Sequence, residues 1–226
     1  MTGNICTSTV GSLGVIAVLA FALVCLAASI SQRAGGLPSP ALKGGKSLEE
    51  TLATRRSVRR FEPTPLTAQQ LGQLCWAAQG ISDPRERFRT CPSAGALYPL
   101  ELYVATAEGV SRYVPATHTL ERHLDGDVRP ALQRAALGQP YVGQAPAVFA
   151  IAAVAERTER KYGERAARYV HMEVGHAGQN LLLQAVALGL GAVPVGAFDD
   201  GAVAQALHLP AEQAALYLIP VGEPKP

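Results

Sequence analysis

Pro92-Ser93-Ala94-Gly95-Ala96-Leu97-Tyr98-Pro99 is a turn of small residues closed at both ends by proline. Small side chains remove the steric wall between a backbone and whatever lies against it. Pro92, Ser93, Ala94 and Gly95 are therefore read as the seat of a flat ligand, with backbone N–H groups for its polar edge. The plain alternative is an ordinary Gly/Pro turn, and two further segments weigh against it. Upstream, Arg55-Arg56-Ser57-Val58-Arg59 groups guanidinium donors around a hydroxyl. Guanidinium groups bind phosphate oxygens in pairs, so Arg55, Arg56, Ser57 and Arg59 are read as a phosphate clamp. Downstream, Lys161-Tyr162-Gly163 sets a titratable amine beside a phenol. A phosphate clamp, a planar-ring seat and a proton-transfer pair are together the parts of a flavin site.

The elements around these segments follow from caps and periodicity. Ser47 with Glu50 three residues on is a capping box, and it opens a helix that carries Leu48 and Leu52 on one face and ends near the arginines. Thr67 with Gln70 opens a second helix that Gly80 ends, with Leu71, Leu74, Cys75 and Ala78 as its apolar stripe. Ile81 to Thr90 reads as a charged loop. Leu100 to Thr106 alternates as a strand does, and Arg112 to Leu124 reads as two short strands around a turn. Asp127 is expected to cap a helix that runs through Leu137 to Gly138. Ala147 to Ala155 is a continuous apolar run, expected as a central strand. Ala166 to Leu190 is the longest helix, apolar around much of its circumference, which suggests burial against a second subunit. Asp199 or Asp200 caps a short helix, and Leu216 to Val221 is the last strand. This order predicts an α+β fold with a mixed central sheet flanked by helices, because strands and helices do not alternate strictly.

The N-terminus reads differently. Its first 32 residues carry no Asp, Glu, Lys or Arg. As a helix, Val10 to Ile30 spans about 31 Å, enough for a bilayer core of about 30 Å. No basic residue precedes it, and the run is long for a cleaved signal, so a retained single-pass anchor fits best. Arg33, Lys43, Lys46 and the Arg55–Arg60 cluster all follow it, which places the remainder in the cytoplasm. Export after signal cleavage is the alternative. The organisation is then residues 1–33 as anchor or signal, 34–46 as a Gly/Pro/Lys linker, and 47–226 as one domain. Under this organisation the arginine cluster has a second reading, as a basic patch meeting anionic lipid.

Several classes are excluded. The net charge is only +2 and no basic face carries interleaved aromatics, so nucleic acid is not a partner. The four cysteines, Cys6, Cys25, Cys75 and Cys91, form no CxxC and no zinc pattern, and no metal is expected. In His171-Met172-Glu173-Val174-Gly175-His176 the histidines are five apart, which points them about 140° from each other on a helix. They are read as packing or interface residues. Gly189 to Gly196 looks like a dinucleotide fingerprint but follows a helix where the fingerprint joins strand to helix. It is read as a helix cap followed by a tight backbone that can line a ring pocket. Glu156–Arg160 and Glu164–Arg168 are i,i+4 pairs on a solvated face. For Lys161 a role as base requires burial, which makes an amine easier to deprotonate.

From about Ser47 to Pro224 the chain resembles the nitroreductase-like FMN proteins, and more closely the SagB-type (thiazole/oxazole) dehydrogenases. The resemblance is carried by Arg55-Arg56-Ser57-Val58-Arg59-Arg60-Phe61, Leu74-Cys75-Trp76-Ala77-Ala78-Gln79-Gly80, the Pro92–Pro99 turn and Lys161-Tyr162-Gly163. It continues through Tyr169 to Asn180, Gly189-Leu190-Gly191, Pro194-Val195-Gly196-Ala197-Phe198-Asp199-Asp200 and Pro220-Val221-Gly222. It implies a homodimer with FMN at the subunit interface. Arg55, Ser57 and Arg59 would face the phosphate, Ser93, Ala94 and Gly95 the isoalloxazine, and Pro194, Val195 and Gly196 its other side. It implies oxidation of azoline rings in a peptide, the flavin taking a hydride while Lys161 removes a ring proton and Tyr162 positions or relays it. It also implies a partner that presents the peptide. A general NAD(P)H-dependent nitro- or quinone reductase acting on small molecules is the enzyme alternative. A flavin-binding membrane scaffold without turnover is the other. Two departures stand out: the N-terminal apolar segment lies outside the pattern, and Lys225 alone serves as a late basic residue.

Overall fold

The computed structural model describes Met1, Gly3 and residues 34–225. The apolar stretch Val10 to Ile30 lies outside the described residues. Among the described residues no helix is long and apolar enough to cross a membrane. Gly36–Pro226 forms one compact unit.

Its centre is β7 (Ala147–Ala153), buried along its whole length. Alternate residues serve opposite faces, as the two-residue repeat of a strand requires. Ala147, Phe149, Ile151 and Ala153 enter one apolar cluster, and Val148, Ala150 and Ala152 enter another. Burial on both faces explains the unbroken apolar run. Its neighbours are nevertheless antiparallel: β4 (Leu100–Thr106) on one side and β9 (Ala214–Gly222) on the other. With β1 (Ala34–Gly36), β5 (Gly109–Val114), β6 (Thr119–Asp125) and β8 (Gly191–Ala192), the seven-stranded order is β1-β6-β5-β4-β7-β9-β8. A parallel bridge, Ser57 to Ala192, gives the sheet its mixed character. Phe149 alone, fully buried, contributes roughly 1.5–3 kcal/mol of hydrophobic stabilisation.

Helices cover both faces. The helices α1 (Leu48–Thr54) and α2 (Ala68–Gln79) carry both capping boxes read from the sequence. They pack with the long α6 (Ala166–Ala187). Gly178 lets α6 sit close on the sheet, since a Cβ there would lie 2.9 Å from the Tyr217 ring. On the other face lie α3 (Arg129–Ala135), α4 (Pro140–Gln144) and α7 (Asp200–Ala206), the last capped by Asp199. The remaining helix, α5 (Glu156–Tyr162), follows β7 directly.

Several expectations are corrected. Ile81 to Thr90 is a small hairpin, β2 (Ile81–Asp83) with β3 (Phe88–Arg89), because Asp83 Oδ1 accepts the Arg85 and Glu86 amides and tightens the turn. Asp127 does not cap a helix in the usual way. Its carboxylate accepts the Arg129 amide and guanidinium, the helix begins at Arg129, and it ends at Ala135 as the backbone reverses through Leu137 and Gly138. Leu48 and Leu52, four residues apart on α1, are both exposed. The residues read as a linker follow the domain surface, where the Gln73 carboxamide pairs with both the N–H and the C=O of Ala41.

Candidate functional site

The predicted residues gather into two groups. The first lies at the β8 end of the sheet. Val58 N–H donates to Ala192 O at 3.0 Å, which fixes the arginine segment beside Ala192, two residues before Pro194. Glycine at 191 is required for this approach, because a Cβ there would lie 2.7 Å from Val58 Cβ. Arg56, Ser57 and Arg59 are exposed and Arg55 half-buried. Among the described residues none of the three arginines makes an ion pair. Arg56 turns back onto the Ala53 and Arg55 carbonyls, which leaves Arg55, Ser57 and Arg59 as the outward donors. Pro194 and Gly196 flank Val195, whose side chain is buried and whose backbone exchanges both hydrogen bonds with Leu218. Val195 is therefore the peg that holds its two neighbours in place. Two residues not singled out from the sequence join this group. Gln139 donates to Ala197 O at 2.9 Å and accepts from the Tyr141 hydroxyl, and Arg59 lies over the Tyr141 ring.

The second group forms where β7 ends and β4 begins. Val154 N–H donates to Pro99 O, so the Pro92–Pro99 turn and α5 are held together. Arg157 of α5 donates to Tyr98 O at 3.0 Å and to Glu101 at 2.6 Å, while Arg89 lies 4.4 Å over the Tyr98 ring. The turn has φ of 62° at Gly95, 54° at Ala96 and 48° at Tyr98, a left-handed path that side chains disfavour. Over Gly95 stand the two side chains predicted to move protons. A Cβ on Gly95 would lie 2.9 Å from Tyr162 Oη and 3.0 Å from Lys161 Nζ. Segments some sixty-six residues apart thus meet on a bare backbone. Lys161 is exposed in the single chain, contrary to the burial its role requires. The Tyr162 ring is braced edge-on by Tyr169. Of the two ion pairs read on this face, Glu156–Arg160 forms at 3.1 Å, and Glu164–Arg168 is absent among the described residues.

Beneath the turn lies Glu173, which sequence reasoning passed over inside the discarded histidine segment. Its Oε1 accepts from Ser93 Oγ and from Ala94 N–H, both at 2.9 Å. Burial raises its pKa in spite of these two donors, which pull the other way. A signal was available: Val170, Glu173, Val174 and Ala177 share one helical stripe, so the carboxylate sits on the face that must be buried. His171 and His176, the decoys, are exposed. Burial lifts the thiols of Cys75 and Cys91 as well, Cys91 to about 12, which makes them inert packing groups.

Among the described residues no group of His, Cys, Asp and Glu could hold a metal ion. Among the described residues no hydrogen bond or ion pair joins the two groups. A cleft of about 640 Å³ between the 41–48 segment, α2 and α6 contains none of the predicted residues. The donor set does fit a phosphorylated planar cofactor: unpaired guanidiniums and a hydroxyl in one group, a glycine cradle in the other.

The nitroreductase family model matches residues 52–223. A protein of Methanocaldococcus jannaschii named as a candidate nitroreductase is 48% identical over 181 residues, 77% of this chain and 90% of that protein. The crystal structure of a candidate nitroreductase from Ralstonia eutropha superposes with a TM-score of 0.79 at 29% identity, covering 87% of this chain and 91% of that one. The E. coli microcin synthetase complex shares the fold at 21% identity, with a TM-score of 0.66 over 98% of this chain and 85% of that one.

Proposed function

Since the chain belongs to the nitroreductase family of oxidoreductases, we propose that it is an FMN-dependent dehydrogenase of the SagB type that oxidises azoline rings in a peptide. The observation that carries this reading is the convergence of Lys161 Nζ and Tyr162 Oη on Gly95. A reductase that only passes electrons needs no base beside its ring seat. An azoline oxidation does, because the ring loses a proton in addition to the hydride that the flavin accepts.

Each residue has a task. Arg55, Ser57 and Arg59 hold the phosphate of FMN, and Arg56 steadies their backbone. Ser93, Ala94 and Gly95 give the ring a flat bed that Pro92 starts, and Pro194 and Gly196, pegged by Val195, bound its other side. Bound FMN supplies the two-electron acceptor. Lys161 takes the ring proton and Tyr162 fixes the amine by its hydroxyl, an effect typically of about 10²–10⁴-fold in rate. In this reading a homodimer that apposes the first group of one subunit to the second of the other completes the site. The exposed Met172, Leu48 and Leu52 supply apolar surface for that contact, and the contact is what would bury Lys161. A second protein would present the peptide. The N-terminal stretch remains an anchor with the domain in the cytoplasm, or a signal for export, on its sequence alone.

The test is direct. The purified chain should show a flavin absorption band, release FMN by mass, and oxidise a thiazoline-containing peptide. Lys161→Met should keep the FMN and lose the turnover. Unchanged turnover would remove the proton-transfer role. Rapid bleaching of the flavin by NADPH with no action on thiazoline would favour the nitro- and quinone-reductase reading, and absence of flavin would favour the scaffold.

A further inference from the structure

Glu173 is a carboxylate 4% exposed in the middle of α6, a costly placement unless its oxygens are used. One of them is used, on a single object. Oε1 accepts from Ser93 Oγ and Ala94 N–H, and Ser93 Oγ in turn accepts from Tyr98 N–H at 2.9 Å. The Ser93 hydroxyl has one proton. With that proton committed to Glu173, its lone pairs face the Tyr98 amide. One carboxylate thereby grips both ends of the turn, Ser93 directly and Tyr98 through the hydroxyl. The turn needs a grip, because Ala96 and Tyr98 hold left-handed backbone that side chains disfavour. Between the two gripped ends lies Gly95, the point on which Lys161 and Tyr162 converge.

We propose that Glu173 is a positioning residue for the flavin seat: it clasps the Ser93–Tyr98 turn from below so that Gly95 lies flat under Lys161 and Tyr162. It works through Ser93 and Ala94, without touching the ligand. The proposal rests on the flavin reading above and adds to it the device that sets the ring bed. It is an acceptor's role. A glutamine, whose carbonyl oxygen also accepts two hydrogen bonds, can fill it, and an alanine cannot.

The experiment uses the full chain with added FMN as the probe. Glu173→Ala, Glu173→Asp and Glu173→Gln are compared with wild type for FMN dissociation constant and for hydrogen exchange at the Ala94 amide. Losing hydrogen bonds to a buried charged acceptor should weaken FMN binding by about tenfold or more in Glu173→Ala, with Ala94 exchanging as an open turn does. Glu173→Asp, too short to reach both donors, should behave similarly and serves where the alanine variant does not fold. Glu173→Gln should stay within about threefold of wild type and keep Ala94 protected. Equal FMN affinity in wild type and Glu173→Ala overturns the proposal and leaves the flavin reading intact. So does a glutamine variant as impaired as the alanine variant, since the role would then need the charge and not the acceptor. A wild-type chain that binds no FMN brings down the flavin reading and this proposal with it.

Discussion

Val58 occupies the space that a side chain at Gly191 would need, with only 2.7 Å from a Cβ there to Val58 Cβ. This contact sets the register between the arginine segment and β8, and so it decides where Arg55, Ser57 and Arg59, the proposed phosphate clamp, point. Both partners are backbone or branched side chain, and neither can swing aside.

Gly191→Ala should therefore act as an overpacking substitution, costing about 1–3 kcal/mol of stability. Denaturant unfolding measures the loss. FMN affinity should fall with it, because the proposed clamp is displaced from Ala192. Unaltered stability would mean that the arginine segment is held elsewhere.

Gly95→Ala separates strain from position. The substitution costs about 1–2 kcal/mol in left-handed backbone, and its Cβ pushes against Tyr162 Oη and Lys161 Nζ. These are the ends of flexible side chains and yield easily, so the fold survives while the pair is displaced. A displacement near 1 Å should reduce turnover by about a hundredfold. Gly126→Ala is the control: its φ of 87° carries comparable strain, but nothing lies within 4 Å of its Cβ. It should lose stability and keep activity. Equal losses of turnover in both variants would show that strain, not placement, is responsible.

Glu173 makes stability depend on pH with a definite sign. Burial raises its folded-state pKa above the ordinary carboxylate value of 4.5, so between the two values the native state binds more protons than the unfolded one. Stability from this group is then full below the ordinary value and declines as pH rises through the raised one. Arg89 and His176, whose charges reach it, oppose the shift without reversing it. Glu173→Gln removes the dependence. The stability of the variant relative to wild type should therefore increase from about pH 4 to about pH 8 in denaturant titrations. A difference that shrinks over that range would show that the hydrogen bonds from Ser93 and Ala94 outweigh burial.

The elements that the sequence disclosed are those governed by neighbours along the chain. Both capping boxes need only residues three apart, and they formed as read at Ser47 and Thr67. Gly80 and Asp199 marked helix ends for the same reason. The apolar run at β7 announced burial on both faces but not the direction of its partners, because antiparallel and parallel neighbours bury such a strand alike. Asp127 misled since its carboxylate serves the guanidinium of Arg129 as well as the amide, and a cap cannot be told from an ion pair by spacing alone. The Ile81–Thr90 hairpin escaped because its strands are two and three residues long, too short to show alternation.

The sequence by itself determined the residue types of the candidate site, the helices that carry them and the family to which the chain belongs. Those properties are local, or they are repeated in order along the chain. Only the tertiary structure decided which of them meet. It joined the Arg55–Arg59 segment to Ala192 through one bridge, brought Lys161 and Tyr162 over Gly95, and placed a buried Glu173 under the same turn. It also left Lys161 exposed. The physical reason is that contacts between distant segments depend on how β4, β7 and α6 pack, and packing is a property of volumes in space that no spacing along the chain records.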